Sequence, residues 1–255
     1  MTFSEYVLLI SAGIAAGFIN TVAGGGSLLT LPLLIFMGLP AAEANASNRV
    51  AIIIQNIFAV KGFKSKGVAV FPFAYWVSIS ATLGALLGAY LATEISNSSF
   101  NKILSVVMIF VLMITVLKPY LDKKEALERF NKKRNLVSIL LFFSFGIYGG
   151  FIQAGVGFII MAALTGIHGL NLAKTNSVKV FVVLCYTSVA LLVFMYNGKV
   201  LWTYGFILAV GNAIGAWVAS RWSVEVNEKW IRLILILTLS ALAIKLWLTS
   251  VSYAN

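Results

Sequence analysis

Ten apolar runs follow one another along the chain, at about 6–22, 27–37, 42–60, 68–92, 100–117, 136–153, 157–167, 172–196, 200–220 and 228–249. Short polar or charged stretches separate them. A helix needs about 20 apolar residues to cross the hydrocarbon core of a bilayer, and most of the runs approach or reach that length. The runs 27–37 and 157–167 do not: each holds about 11 residues, or ~16 Å as helix, half a bilayer. Each follows a glycine break. The first reads Gly17-Phe18-Ile19-Asn20-Thr21-Val22-Ala23-Gly24-Gly25-Gly26-Ser27 and the second Gly150-Phe151-Ile152-Gln153-Ala154-Gly155-Val156-Gly157. In lipid every backbone N–H and C=O needs a partner, so irregular backbone at membrane depth survives only inside protein or beside a polar cavity. Gly-interrupted hydrophobic segments at matching places in two halves are the sequence mark of a transporter binding site. The pattern predicts a helical hairpin at each break, turning round inside the membrane or crossing it twice.

Composition agrees with a membrane protein. Of 255 residues, 60% are hydrophobic and 11% charged, with a mean hydropathy of +0.97, whereas soluble domains carry about 25% charged residues. The expected fold class is an all-α polytopic membrane protein. Its net charge of +11 resides in short loops, which is the positive-inside pattern rather than a nucleic-acid surface. The single Cys185 excludes an internal disulfide and a Cys-based metal cluster. The single His168, expected at a hairpin end near the cytoplasmic surface, excludes multi-His sites. No cofactor is expected. An intramembrane enzyme would need a nucleophile–base pair or a metal cluster, which one His and one Cys in distant segments do not supply. The N-terminus, Met1-Thr2-Phe3-Ser4-Glu5, lacks the basic region of a secretory signal, so the first run is expected to be a retained helix. No Gly-x-x-x-x-Gly-Lys-[Ser/Thr] motif is present for ATP.

Loop charges orient the spans. Lys61, Lys64 and Lys66 lie between two runs. The link between the halves carries Lys118, Lys123, Lys124, Arg129, Lys132, Lys133 and Arg134 against Asp122, Glu125 and Glu128. Both loops fall on one side, which is then cytoplasmic, as are Lys174, Arg221, Lys229 and Arg232. Both termini and the 93–99 loop fall outside. Lys102, Lys199 and Lys245 depart from the rule. Each half crosses an odd number of times, so the halves have inverted topology, each a glycine-broken hairpin plus three transmembrane helices. The expected division is a first repeat at 1–117, a basic cytoplasmic linker at 118–135 and a second repeat at 136–255. Residue pairs match across the halves in order: Gly13-x-x-x-Gly17 with Gly146-x-x-x-Gly150, Gly38-Leu39 with Gly169-Leu170, Arg49-Val50 with Lys179-Val180, and Gly84 to Ala89 with Gly211 to Ala216.

These residues resemble the TauE/SafE family of bacterial membrane permeases, also called the toluene sulfonate uptake permease family. The resemblance rests on Ile19 to Gly26, then Pro32, then Ala44-Asn45-Ala46-Ser47-Asn48-Arg49. In the second half it rests on Gly169 to Lys174, Lys179, Gly198-Lys199-Val200, and Gly215-Ala216 before Arg221. It covers about residues 8 to 249. It implies an inner (plasma) membrane location and transport of sulfur-containing anions such as sulfite, sulfonates or sulfoacetate-type compounds. The second break departs from a full triple glycine, so the two hairpins are not expected to be equivalent.

An intramembrane charge is a functional-site hypothesis by default. Arg49 lies about eight residues into its run, ~12 Å below the surface. Asn45 and Asn56 share its helix face, and Asn48 precedes it. Lys179 lies similarly deep from the other side, with Thr175, Asn176 and Tyr186 at comparable spacings. An Arg fork suits a pair of sulfonate oxygens, and Lys supplies a point charge. The N-terminus that starts at Ser27, after Gly24, Gly25 and Gly26, is an anion cradle on the same physics as phosphate loops. Asn20, Thr21 and Gln153 would bond the anion or cap the broken helix. The blander readings are close helix packing for the glycines, snorkelling of either cation to lipid phosphate, and interhelix hydrogen bonding for the amides. The expected function is a secondary transporter of small anions working by alternating access, with an anion channel sharing the same positive vestibule as the alternative. Glu5, Glu43, Glu94, Glu225 and Glu228 all map near run ends, which leaves proton coupling open. The partners expected are a small anionic substrate and the lipid bilayer, without nucleic acid; a homodimer is compatible with this layout.

Overall fold

The computed structural model describes residues 1–68, 72–121 and 128–222. The run 228–249, residues 122–127 of the charged link, the side on which the C-terminus lies and the calls on Glu225, Glu228, Lys229, Arg232 and Lys245 fall outside the described residues. Within them the regular structure is helical: α1 (Phe3–Ala23), α2 (Ser27–Phe36), α3 (Ala41–Ser65), α4 (Phe73–Glu94), α5 (Asn97–Leu121), α6 (Lys132–Phe151), α7 (Val156–His168), α8 (Leu172–Tyr196) and α9 (Trp202–Trp222). Each corresponds to one apolar run. Polar residues start several of them. Thr2 and Glu5 form a capping box at α1, while Asn131 and Asn171 accept the first-turn amides of α6 and α8 at 2.8 and 2.9 Å. These side chains satisfy N–H groups that a helix start leaves unpaired.

Among the described residues, five helices, α1, α4, α6, α8 and α9, are long and apolar enough to cross a bilayer. At 10 and 13 residues, α2 and α7 extend only about 15 and 20 Å, short of the ~30 Å core. α3 is 25 residues long, yet it buries Asn45, Asn48, Arg49, Gln55 and Asn56. These polar side chains of its first two thirds face the inside of the protein, while Lys61 and Lys64 near its end are exposed. Outward faces are apolar: α9 exposes Trp202, Phe206, Val210, Ile214, Val218 and Trp222. The two tryptophans are separated by roughly 30 Å along the helix, about the thickness of a bilayer's hydrocarbon core.

The helices pair across the sequence. α1 lies along α9 and α4 along α6; α3 packs beside α9 and α8 beside α4; α3 and α8 meet in the middle. Lipid tails are as apolar as leucine, so helices in membranes associate through close backbone approach at small residues. Gly13 and Gly17 face the backbone of Leu208 to Asn212, and Gly211 and Gly215 face Ile10 and Ile14. Gly84 and Gly88 face Phe143 and Ile147, and Gly146 and Gly150 face Ala81 and Ala85. Each of these four Gly-x-x-x-Gly pairs therefore packs against a helix of the opposite half.

This packing sets an expected contrast. A Cβ on Gly84 would meet the Phe143 carbonyl, whereas Gly166 has open space around it. Gly84→Ala should lower the thermal midpoint of the detergent-purified protein, since overpacking costs about 1–3 kcal/mol. Gly166→Ala should hold or raise it, since alanine is better than glycine inside a helix by roughly 0.5–1 kcal/mol. Equal midpoints for the two variants would refute the α4–α6 seam.

Candidate functional site

The two breaks meet. α1 ends on Gly24, whose left-handed backbone (φ 87°) turns its N–H onto Asn20 O and Ile19 O. Gly155, at φ 75°, precedes α7. A Cβ on Gly24 would lie 2.6 Å from the Gly157 backbone, so the breaks touch with no room for a side chain. Neither α2 nor α7 has a side-chain cap at its N-terminus. Backbone carbonyls take part of the first turns, with Leu28 N–H and Leu29 N–H donating to Gly25 O and Gly26 O and Phe158 N–H to Gly155 O, and each end carries about half a positive charge.

The last carbonyls of the broken helices α1 and α6 have the opposite need. They carry partial negative charge and are short of partners within the helix; Asn20 O takes the Gly24 N–H and keeps a second lone pair. A cation from the other half serves each of them. Lys179 Nζ on α8 donates to Asn20 O and Thr21 O, both at 2.9 Å, and to Asn176 Oδ1 at 2.7 Å. Asn176 Nδ2 donates to Val22 O at 3.0 Å. On α3, Arg49 Nη1 donates to Gly149 O at 3.1 Å and Nη2 to Gly150 O at 2.6 Å. Arg49 Nη2 also reaches Asn45 Oδ1 at 3.4 Å, and Asn45 Nδ2 donates to Phe151 O at 2.8 Å. The Arg49 guanidinium lies 4.8 Å over the Phe194 ring. Arg49 and Lys179 are 0% and 2% exposed, so neither snorkels to a surface. The same device occurs twice: a cation and an asparagine one turn before it cap the other half's broken helix.

A small cavity lies where the breaks meet. Asn20, Ser27, Asn56, Gln153, Gly157 and Lys179 line it, and it has room for about one water molecule. Ser27 opens α2 and Gly157 lies in the first turn of α7, so both helix N-termini contribute to the wall. Val156 and Val183 complete the lining.

Of the residues singled out from sequence, Asn20, Ser27, Gln153 and Lys179 come together on this wall. The others build around it. The Thr21 hydroxyl donates to Gly17 O at 2.8 Å, while the Thr21 carbonyl holds Lys179. Gly24 packs on Gly157, and Gly26 packs on Ala16 and Asn20; Gly25 is buried between them. Asn48 Oδ1 accepts from Thr30 Oγ1 at 2.7 Å, tying α2 to α3. The Thr175 hydroxyl donates to Leu170 O at 3.2 Å. Asn45 and Asn176 orient the two cations. His168, at the far end of α7, is fixed by Ser138 Oγ at 2.8 Å and the Arg129 carbonyl at 3.2 Å. Four lining residues, Asn56, Val156, Gly157 and Val183, were outside the sequence-derived set, Gly157 being legible only as part of the second break. Asn56 was legible only as a residue on the Arg49 face, and Val156 and Val183 carry no signal by which an apolar wall differs from packing.

Comparison with known proteins gives a consistent picture. The family described as Sulfite exporter TauE/SafE matches residues 9–246. "Probable membrane transporter protein ORF9" of Sinorhizobium sp. is 27% identical over 249 residues, covering 96% of this chain and 94% of that protein. "Probable membrane transporter protein YfcA" of Escherichia coli K12 is 27% identical over 239 residues, covering 94% and 88%. A "Probable membrane transporter protein" of Haemophilus influenzae is 27% identical over 209 residues, covering 82% and 81%. No solved structure matches the chain. With a family match over nearly its whole length and helices fit to cross a bilayer, the chain belongs to the TauE/SafE sulfite exporter family of multi-pass membrane proteins.

Proposed function

We propose that this protein is a secondary transporter of small anions, sulfur-containing oxyanions first among them, that binds its substrate in the cavity between the two breaks. One observation carries the reading: Lys179 and the first turns of two uncapped helices converge on one wall. Amides, a hydroxyl and an ammonium at helix N-termini form a donor-rich wall that favours negative charge. The names of the relatives and of the family support transport of this kind.

The packing also suggests which parts move. The exchange of glycine partners and the paired cation caps support two inverted repeats, with α1 to α5 answering to α6 onward and the N-terminus outside. The sequence halves cannot rock as blocks, because the α1–α9 and α4–α6 seams join them. The moving bodies we propose are α1–α3–α9 and α4–α6–α8. Arg49 and Lys179 are then latches between the bodies, each reaching from one to a broken helix of the other. The cavity holds about one water molecule, so the arrangement described is occluded. An anion enters when the bodies part and Lys179 exchanges backbone carbonyls for anion oxygens. We assign Lys179 to the anion and Arg49 to the second hairpin.

The test is counterflow in reconstituted vesicles loaded with sulfite or a small sulfonate. Saturable, trans-stimulated uptake is expected, and single-channel currents would instead establish a channel. Lys179→Met keeps the side chain's bulk and removes its charge. We expect it to weaken anion-dependent thermal stabilisation at least tenfold in apparent affinity, as loss of one charge-assisted contact of about 1.5–3 kcal/mol requires. Wild-type affinity in this variant would overturn the site.

A further inference from the structure

Gln153 is the non-glycine residue with positive φ, 61°, among the described residues. Glycine would take that backbone without strain, so the turn does not explain the side chain. The side chain is 3% exposed and lines the cavity with Lys179, Ser27 and Asn20. Its Nε2 is committed, donating to Thr187 Oγ1 at 2.9 Å on α8. Its Oε1 is buried and has no hydrogen-bond partner.

A buried unpaired carbonyl oxygen is unfavourable until something donates to it. The wall also carries donors: the ammonium of Lys179, once it exchanges Asn20 O and Thr21 O for an anion, the hydroxyl of Ser27 and the helix N-termini. An anion with oxygen lone pairs alone would satisfy that wall but set its own oxygen against Gln153 Oε1. An anion that also carries an O–H or N–H answers both halves of the site. We propose that Gln153 makes the site selective for small anions bearing a hydrogen-bond donor, its Oε1 accepting that proton while the anionic oxygens face Lys179. The proposal rests on the anion-site reading above and narrows its substrate class. The donor has two sources, the acid proton of an oxyanion or a hydroxyl or amine beside an anionic head.

Two matched pairs of probes test it by calorimetric titration of the purified protein in detergent. Hydroxymethanesulfonate differs from methanesulfonate by one hydroxyl. Hydrogenphosphate, at a pH where it is a dianion, has the shape and charge of sulfate plus one O–H. We expect the donor-bearing member to bind about tenfold tighter, the order of discrimination when a buried acceptor is otherwise left unpaired. In Gln153→Gly, which suits the positive φ, the preference should shrink to within about twofold by the same logic; Gln153→Leu serves if the glycine variant does not fold. Discrimination in only one pair supports the proposal and identifies the source of the donor. Equal affinities within both pairs in the wild type, or a preference that survives in the variant, overturn it. Failure of all four anions to bind overturns the anion site itself and this proposal with it.

Discussion

Arg49→Ala should destabilise this protein by roughly 3 kcal/mol, because two charge-assisted hydrogen bonds are worth about 1.5–3 kcal/mol each. Part of that total is offset, since a buried guanidinium no longer has to be kept out of water. What remains unfavourable is backbone: the carbonyls of Gly149 and Gly150, now capped at 3.1 and 2.6 Å, lose their donors where no water replaces them. A stability loss of this size lowers the midpoint by roughly 6–12 °C for a chain of this length. Arg49→Lys should recover about half of the loss, because a point charge replaces a fork that reaches two carbonyls. Thermal unfolding followed by dye labelling of the single, partly buried Cys185 reads both variants. An unchanged midpoint in Arg49→Ala would mean that the α6 terminus is held by something else. Anion affinity of the folded fraction should stay close to that of the wild type, which separates this role from that of Lys179.

The second large effect is expected at the crossing of the breaks. Gly24→Ala places a Cβ against the Gly157 backbone at 2.6 Å and also forces alanine to φ 87°. Overpacking costs about 1–3 kcal/mol and the left-handed conformation about 1–2 kcal/mol more. Gly157→Ala meets the Gly24 backbone from the other side without the conformational term, so it should be the milder of the two by about 1–2 kcal/mol. The double variant should be less destabilised than the sum of the singles, because one Cβ already forces the breaks apart and contacting sites are not additive. Each single variant should also lose anion-dependent stabilisation, since the first turns of α2 and α7 no longer share one wall. If Gly157→Ala unfolds like the wild type and keeps its full response to anion, the breaks are not in contact.

Much of the architecture was legible because a bilayer simplifies the code. Apolar runs must be helices when lipid offers the backbone no partner, so α1 to α9 stand where nine of the ten runs are. The short runs after each glycine break became α2 and α7 for the same reason of length. Arg49 and Lys179 stood out because charge at that depth needs an explanation. The helix-end contacts of these two cations were not legible. Both were read as facing an anion, yet their donors reach helix-end carbonyls more than a hundred residues away in sequence, and no spacing on α3 or α8 encodes which helix end will lie opposite. Gln153 looked like one polar residue among several; its unpaired oxygen exists only once Thr187 has taken the amide nitrogen.

By itself, then, the sequence determined the helices, the two breaks and the residues too polar to lie in lipid, because these depend on local length, composition and burial cost. The tertiary structure decided the partners. Which half's cation caps which broken helix, that Gly24 rests on Gly157, and that Arg49 holds a hairpin while Lys179 lines the cavity all follow from α1 lying on α9 and α4 on α6. Small residues permit such seams on several faces of these helices, and only simultaneous packing of every helix selects among them.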